Sequence, residues 1–198
     1  MPTNPHRTLT PLALVVLRLL HERAMHPYEM QQLIRDRAVD RVVKVRAGSL
    51  YHTVERLRQL GLIEHVETGR EGRRPERTVY AITDLGRDGY TSNLRELVRE
   101  PHEEFPVFAA AVEMLYTLDR DEVLRLLQHR GTALEATVAA GEQVTTSLTK
   151  RGLPRLATIE VEFCQAMRRA ELAWVRQLID EIRSGALPWT TEIEEPCP

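Results

Sequence analysis

Aromatic side chains make up only 5% of the 198 residues, so a roomy aromatic-lined catalytic cleft is not expected. The two cysteines, Cys164 in a helical stretch and Cys197 near the end, show neither metal-ligand spacing nor a disulfide framework. The seven histidines lack the i, i+4 spacing of a helical metal site, and no metal or cofactor is expected. Long apolar runs are missing as well. The longest, Leu12 to Leu20, is interrupted by Arg18 and falls far short of the roughly 20 residues a membrane-spanning helix needs. No cationic start with an apolar core and a small-residue cleavage site precedes it. A cytoplasmic location without a membrane partner is the expectation. Nucleophile elbows, phosphate loops and dinucleotide fingerprints are all absent, which argues against an enzyme.

What remains is an ordinary globular composition, 42% hydrophobic and 28% charged, with its charge unevenly spread. The net charge of −2 speaks against a nucleic-acid binder. Residues 1–90, however, carry 15 Arg/Lys against 11 Asp/Glu, and residues 91–198 carry 12 against 18. A basic half joined to an acidic one fits a binding module attached to something else.

Local signals divide the basic half into short elements. Thr10 and Pro11 form a helix entry, and the residues that follow are apolar nearly all round, so this helix should be buried on several faces. His26 and Pro27 open a second helix, with Tyr28, Met30, Leu33 and Ile34 at helical spacing, ending near Arg37. The β-branched stretch Val39 to Val45 suits a short strand or extended link. A third helix runs from Ala47 to Gly61, with Leu50, Val54, Leu57 and Leu60 on its buried stripe and glycine at its end. Two strands, Leu62 to Thr68 and Arg77 to Thr83, flank a loop, Gly69 to Glu76. Asp84 should cap a fourth helix reaching Arg99.

Beyond Glu100 the pattern is helical throughout. Pro106 opens one helix, and Asp119 with Glu122 resembles a capping box for the next. Gly131 and Gly141 weaken that helix and suggest a bend, and Gly152 with Pro154 ends it. The final helix, from Arg155 to Ser184, would be about 45 Å long. Leu156, Ile159, Phe163, Ala166, Ala170, Trp174, Leu178 and Ile182 follow a three/four alternation along it. A small domain cannot cover so long a stripe, so a partner chain is expected to. The domain expectation is 1–99, a winged helix; 100–187, a helical dimerisation domain; and 188–198, a flexible acidic tail.

Helix, strand, cationic loop and strand, in that order, make the DNA-reading half of a winged helix. Ser49, His52, Thr53 and Arg56 sit opposite the apolar stripe, where side chains can meet base edges or simply solubilise the helix. Arg70, Arg73, Arg74 and Arg77 crowd the loop, where guanidiniums can reach phosphates or a narrow minor groove. The tyrosines Tyr28 and Tyr51 can offer hydroxyls to phosphate or pack in the core. Gly69 to Gly72 superficially matches the GXXG loop of an RNA-binding KH domain, but that loop joins helices and this one joins strands.

At HPYE (His26 to Glu29), GSLYHTVERLRQLGLIE (Gly48 to Glu64) and GRRPERTVYAITDLG (Gly72 to Gly86) the chain resembles the PadR family of bacterial transcriptional regulators. With its long helical second half it is similar to the subfamily that includes virulence-activator-like members. The resemblance implies a homodimer on a palindromic operator in double-stranded DNA, more often a repressor than an activator, in some cases answering to a small lipophilic or phenolic effector. Carried over, the DNA-facing positions are Ser49, Tyr51, His52, Thr53 and the loop arginines. Where many relatives have serine and proline before the GSLY motif, this chain has Arg46 and Ala47. The expected capping side chain is thereby lost, and Arg46 becomes a candidate phosphate contact. His52 likewise replaces a common proline.

The fold expected is mostly α with a small β hairpin, a winged helix-turn-helix domain followed by a helical dimerisation domain. The leading functional expectation is a dimeric DNA-binding repressor; the alternative is a protein-interaction or scaffold module, which an acidic loop would have favoured. Trp174 has two readings, a core residue or a platform for a flat aromatic effector between subunits.

Overall fold

The computed structural model describes residues 8–66 and 78–190. Seven α-helices are present among them: α1 (Pro11–Glu22), α2 (Pro27–Asp36), α3 (Ala47–Gln59), α4 (Asp84–Arg99), α5 (Val107–Glu113), α6 (Arg120–Lys150) and α7 (Ile159–Ser184). Two antiparallel strands, β1 (Ile63–Val66) and β2 (Val79–Ile82), complete the fold, with Ile63 opposite Ile82 and Val66 opposite Val79. The chain divides into two compact units, residues 1–103 and 104–198. No helix among the described residues is long and apolar enough to cross a membrane.

Helix α1 is the hub of the first unit. Thr10 accepts a hydrogen bond from Ala13 N–H at its start, and Leu12, Ala13, Leu14, Val16, Leu17, Leu19 and Leu20 are all buried. Each such leucine removed from water stabilises the fold by about 1.5–3 kcal/mol, so α1 contributes more to this unit than its caps do. Met30 and Ile34 of α2, Leu50, Val54 and Leu57 of α3, and Ile63 and Ile82 of the hairpin pack in the same cluster. Leu60, expected on the buried stripe, is only half-buried. Asn93 ties α4 to the segment before α1, accepting from Leu9 N–H at 2.8 Å and donating to the Gly89 carbonyl.

Several local readings need correction. Val39–Arg41 forms a short 3-10 turn rather than a strand, entered through Ala38 at φ 53°. Thr83, not Asp84, caps α4: its hydroxyl accepts from Gly86 N–H and donates to the Gly61 carbonyl at 2.7 Å. A third strand of one residue joins the hairpin, Met25 exchanging two backbone hydrogen bonds with Tyr80 at 3.0 and 3.1 Å. Gly61 ends the turn after α3 at φ 69°, where glycine carries no steric cost.

In the second unit, α6 is continuous for 31 residues, through both Gly131 and Gly141. Gly141 provides clearance instead: a Cβ there would lie 2.3 Å from the Gln165 side chain. That buried glutamine donates to the Val138 carbonyl at 2.8 Å, joining α7 to α6. Asp119 precedes α6 but makes no side-chain capping bond. Val123, Leu124 and Leu127 of α6 pack with Val175, Ile179 and Ile182 of α7. Ion pairs flank the helices, Glu142–Arg169 and Glu135–Arg176 at 2.8 Å each and Arg130–Glu171. Trp189, read as part of a loose tail, packs against this core and donates its indole N–H to the Leu118 carbonyl at 3.0 Å.

The α7 stripe also divides differently from its sequence reading. Ile182 is fully buried and Leu178 half-buried against their own unit, so these two cover α6 rather than a partner. Each four-residue step turns about 40° beyond a full circle, and the run Ala170, Trp174, Leu178, Ile182 therefore rotates from the exposed side into the core. Ile159, Phe163, Ala166 and Ala170 remain exposed, as does Leu156 in the 3-10 turn before α7. Met167, absent from the sequence stripe, is exposed beside them.

Candidate nucleic-acid interface

Helix α3 begins without a conventional cap, because the arginine side chain at Arg46 has no acceptor atom. Ser49 supplies the missing function from inside the helix. Its Oγ accepts from the Arg46 backbone N–H at 3.0 Å and donates to the Arg46 carbonyl at 2.7 Å, the reach-back half of a capping box. Thr53 donates to the Ser49 carbonyl at 2.7 Å. The hydroxyls of Ser49 and Thr53 are thus engaged with their own helix, and both residues are only half-exposed.

The exposed face of α3 is carried by Tyr51, His52 and Arg56. Tyr51 is 49% exposed, which removes the core reading for this tyrosine. Arg56 makes no ion pair among the described residues, whereas its neighbour Arg58 is held by Glu55 at 2.7 Å. Hydrogen bonds from Arg58 and then Gln59 keep the Glu55 carboxyl below its ordinary range. The Glu55–Arg58 pair consequently adds no net charge to this face, and Arg56 keeps its guanidinium for other partners. Gly48, in the first turn, has nothing within 4 Å of where a Cβ would stand, so the helix start is uncrowded.

Tyr28 stands in the first turn of α2, 48% exposed, with its backbone N–H bonded to His26 Nδ1 at 3.0 Å. Nearby cations are partly committed: Arg23 pairs with Glu29 at 2.7 Å, and Arg37 with Glu22 through two hydrogen bonds. The segment leading into α3 also carries Arg41, Lys44 and Arg46, all exposed. Sequence reasoning missed Arg41 and Lys44 because the β-branched residues around them read as a short strand or extended link.

Strands β1 and β2 follow α3 directly, Thr83 and Leu62 bridging the hairpin base through Thr83 N–H to the Leu62 carbonyl. His65 and Tyr80 meet edge to face across the strands, with ring centroids 6.3 Å apart. The loop arginines Arg70, Arg73, Arg74 and Arg77 lie outside the described residues. What the structure brings together is therefore Arg46, Ser49, Tyr51, His52, Thr53 and Arg56 on one helix, with Tyr28 on the helix before it. This is the arrangement of a helix-turn-helix, whose second helix enters a major groove.

Comparison with known proteins agrees with that arrangement. Residues 16–92 match the transcriptional regulator PadR-like family. Bacillus subtilis PadR, solved in complex with operator DNA, is similar in fold with a TM-score of 0.68 at 16% identity, covering 86% of this chain and 98% of that one. The same protein in complex with p-coumaric acid gives 0.68 at 14% identity over 87% and 98%. The Vibrio cholerae virulence activator AphA gives 0.65 at 19% identity over 88% and 99%. No curated protein matches in sequence.

Proposed function

Because residues 16–92 match the transcriptional regulator PadR-like family, we propose that this protein is a DNA-binding regulator that reads a palindromic operator as a homodimer and represses the adjoining gene. The observation that carries the reading is α3 itself: an uncrowded helix start, an Arg56 with no ion pair among the described residues, and exposed Tyr51 and His52 on one face. Arg56 is suited to a bidentate contact with guanine O6 and N7. Ser49 and Thr53 act through the helix start and backbone rather than through bases. Tyr28, Arg46 and the loop arginines Arg70, Arg73, Arg74 and Arg77 contact phosphates, which set register rather than sequence.

The exposed apolar side of α7 supports the dimer. Leu156 and Phe163 are 80% and 67% exposed, and together with Ile159, Ala166, Met167 and Ala170 they form a strip that a second copy would cover. Trp174 stands at the C-terminal end of this strip. A small aromatic effector bound there would shift the dimer between geometries with matched and mismatched half-site spacing.

Footprinting on the DNA flanking the gene tests the proposal. Two protected half-sites related by a two-fold axis, centred about 34–36 Å or a multiple of it apart, are expected. Uniform protection without a palindrome would contradict it.

A further inference from the structure

The second unit gathers four of the chain's ten aromatic residues, both tryptophans among them, around one groove. Trp174, Trp189 and Tyr116, with Leu115 and Leu178, line a groove of about 300 Å³, a volume at the lower end of small-molecule sites. Phe108 meets Trp174 edge to face, 6.0 Å away at 82°, and steadies the indole from outside the groove. Among the described residues the lining has one charged side chain, the carboxylate of Glu113. Among the described residues no cation lines it: Arg130 lies over the Phe108 ring, 3.4 Å from its centroid, and pairs with Glu171. The indole N–H of Trp189 is already given to the Leu118 carbonyl, so it is not free to bind an anionic oxygen.

We propose that this groove binds a planar aromatic cation, with its rings on Trp174 and Trp189 and its positive charge toward Glu113. The assignment deepens, and rests on, the effector reading above, while placing the site within a single chain. Indole faces attract cations through their quadrupole, and a carboxylate at the rim of an apolar groove adds direct attraction. For a carboxylate or phenolate ligand the same residues offer repulsion from Glu113 and no cationic partner. The groove therefore selects by charge as well as by shape.

The test uses the full-length protein without DNA. It is titrated with 9-aminoacridine as the cation, with acridine at mildly alkaline pH as a neutral analogue of the same outline, and with p-coumarate as an anion. Tryptophan fluorescence and calorimetry both follow binding. One 9-aminoacridinium per chain should bind more tightly than acridine, and p-coumarate should bind weakest. Glu113→Gln should weaken the cation about tenfold and leave acridine unchanged, and Trp174→Phe should weaken both. An anion bound as tightly as the cation would overturn the proposal, as would a Glu113→Gln variant within about twofold of wild type for the cation. A tryptophan signal that follows protein dilution but ignores the cation would make the groove part of the seam between copies, and equally overturn it. Because binding is read without DNA, failure here leaves operator recognition standing, and failure of operator binding leaves this site standing.

Discussion

The hydroxyl of Ser49 closes on the backbone of Arg46 from two directions, accepting its N–H at 3.0 Å and donating to its carbonyl at 2.7 Å. Ser49→Ala should cost about 1 kcal/mol of stability, the usual weight of a helix-start side chain. Affinity for an operator duplex and for a random duplex should fall by the same factor, because the helix start is disturbed and no base contact is lost. Thermal melts and fluorescence anisotropy on the two duplexes check this. A fall confined to the operator would assign Ser49 to base reading instead.

Gly141 and Gln165 are complementary in size. Gly141→Ala puts a methyl group 2.3 Å from the glutamine side chain and should destabilise the helical unit by about 1–3 kcal/mol. In a Gln165→Ala background the sign should reverse, since alanine is a better helix former than glycine by about 0.8–1 kcal/mol. Urea unfolding of the four proteins in this cycle measures the coupling. Additive effects would show that the close approach plays no part.

Glu22, at the end of α1, and Arg37, just past α2, are joined by two hydrogen bonds. The Arg37 hydrogen bond holds the Glu22 carboxyl below its ordinary value of 4.5. A folded value below the unfolded one means that the pair stabilises above about pH 4.5 and that this contribution fades as pH falls through the lowered value. Both side chains are around 40% exposed, so the contribution is under about 1 kcal/mol. Glu22→Gln should therefore lower the urea midpoint slightly at about pH 7, and the difference from wild type should shrink as the pH falls below about 4.5.

Elements with local signals were legible in the sequence: Thr10–Pro11 at α1, His26–Pro27 at α2 and Gly61 after α3 each mark a boundary by their own chemistry. Features that depend on distant contacts were not. The Met25–Tyr80 bridge is one residue long and has no period to detect. Gly141 read as a weak point of its helix because its partner, Gln165, is remote in sequence, and Trp189 read as tail because nothing local announces the Leu118 carbonyl. Gly86 is similar: a Cβ there would stand 2.0 Å from the Leu62 carbonyl oxygen, a closeness only the folded hairpin creates. On α7 the three/four spacing identified an apolar stripe but not which neighbour each part would meet. On α3 the apolar stripe and the opposite polar face were readable, but not that Ser49 and Thr53 turn their hydroxyls to the backbone.

If Arg56 on α3 and the cations around it hold DNA, affinity must depend on salt, because each phosphate contact releases counterions. For wild type, a plot of log affinity against log salt concentration should fall with a slope of about −4 or steeper, each phosphate contact contributing about 0.9. Arg73→Ala with Arg74→Ala should flatten that slope by about 2, and Arg56→Ala should cost about 1–3 kcal/mol on the operator with little loss on random duplex. Affinity that does not change with salt, or an Arg56→Ala variant that binds operator and random duplex as wild type does, would contradict the account.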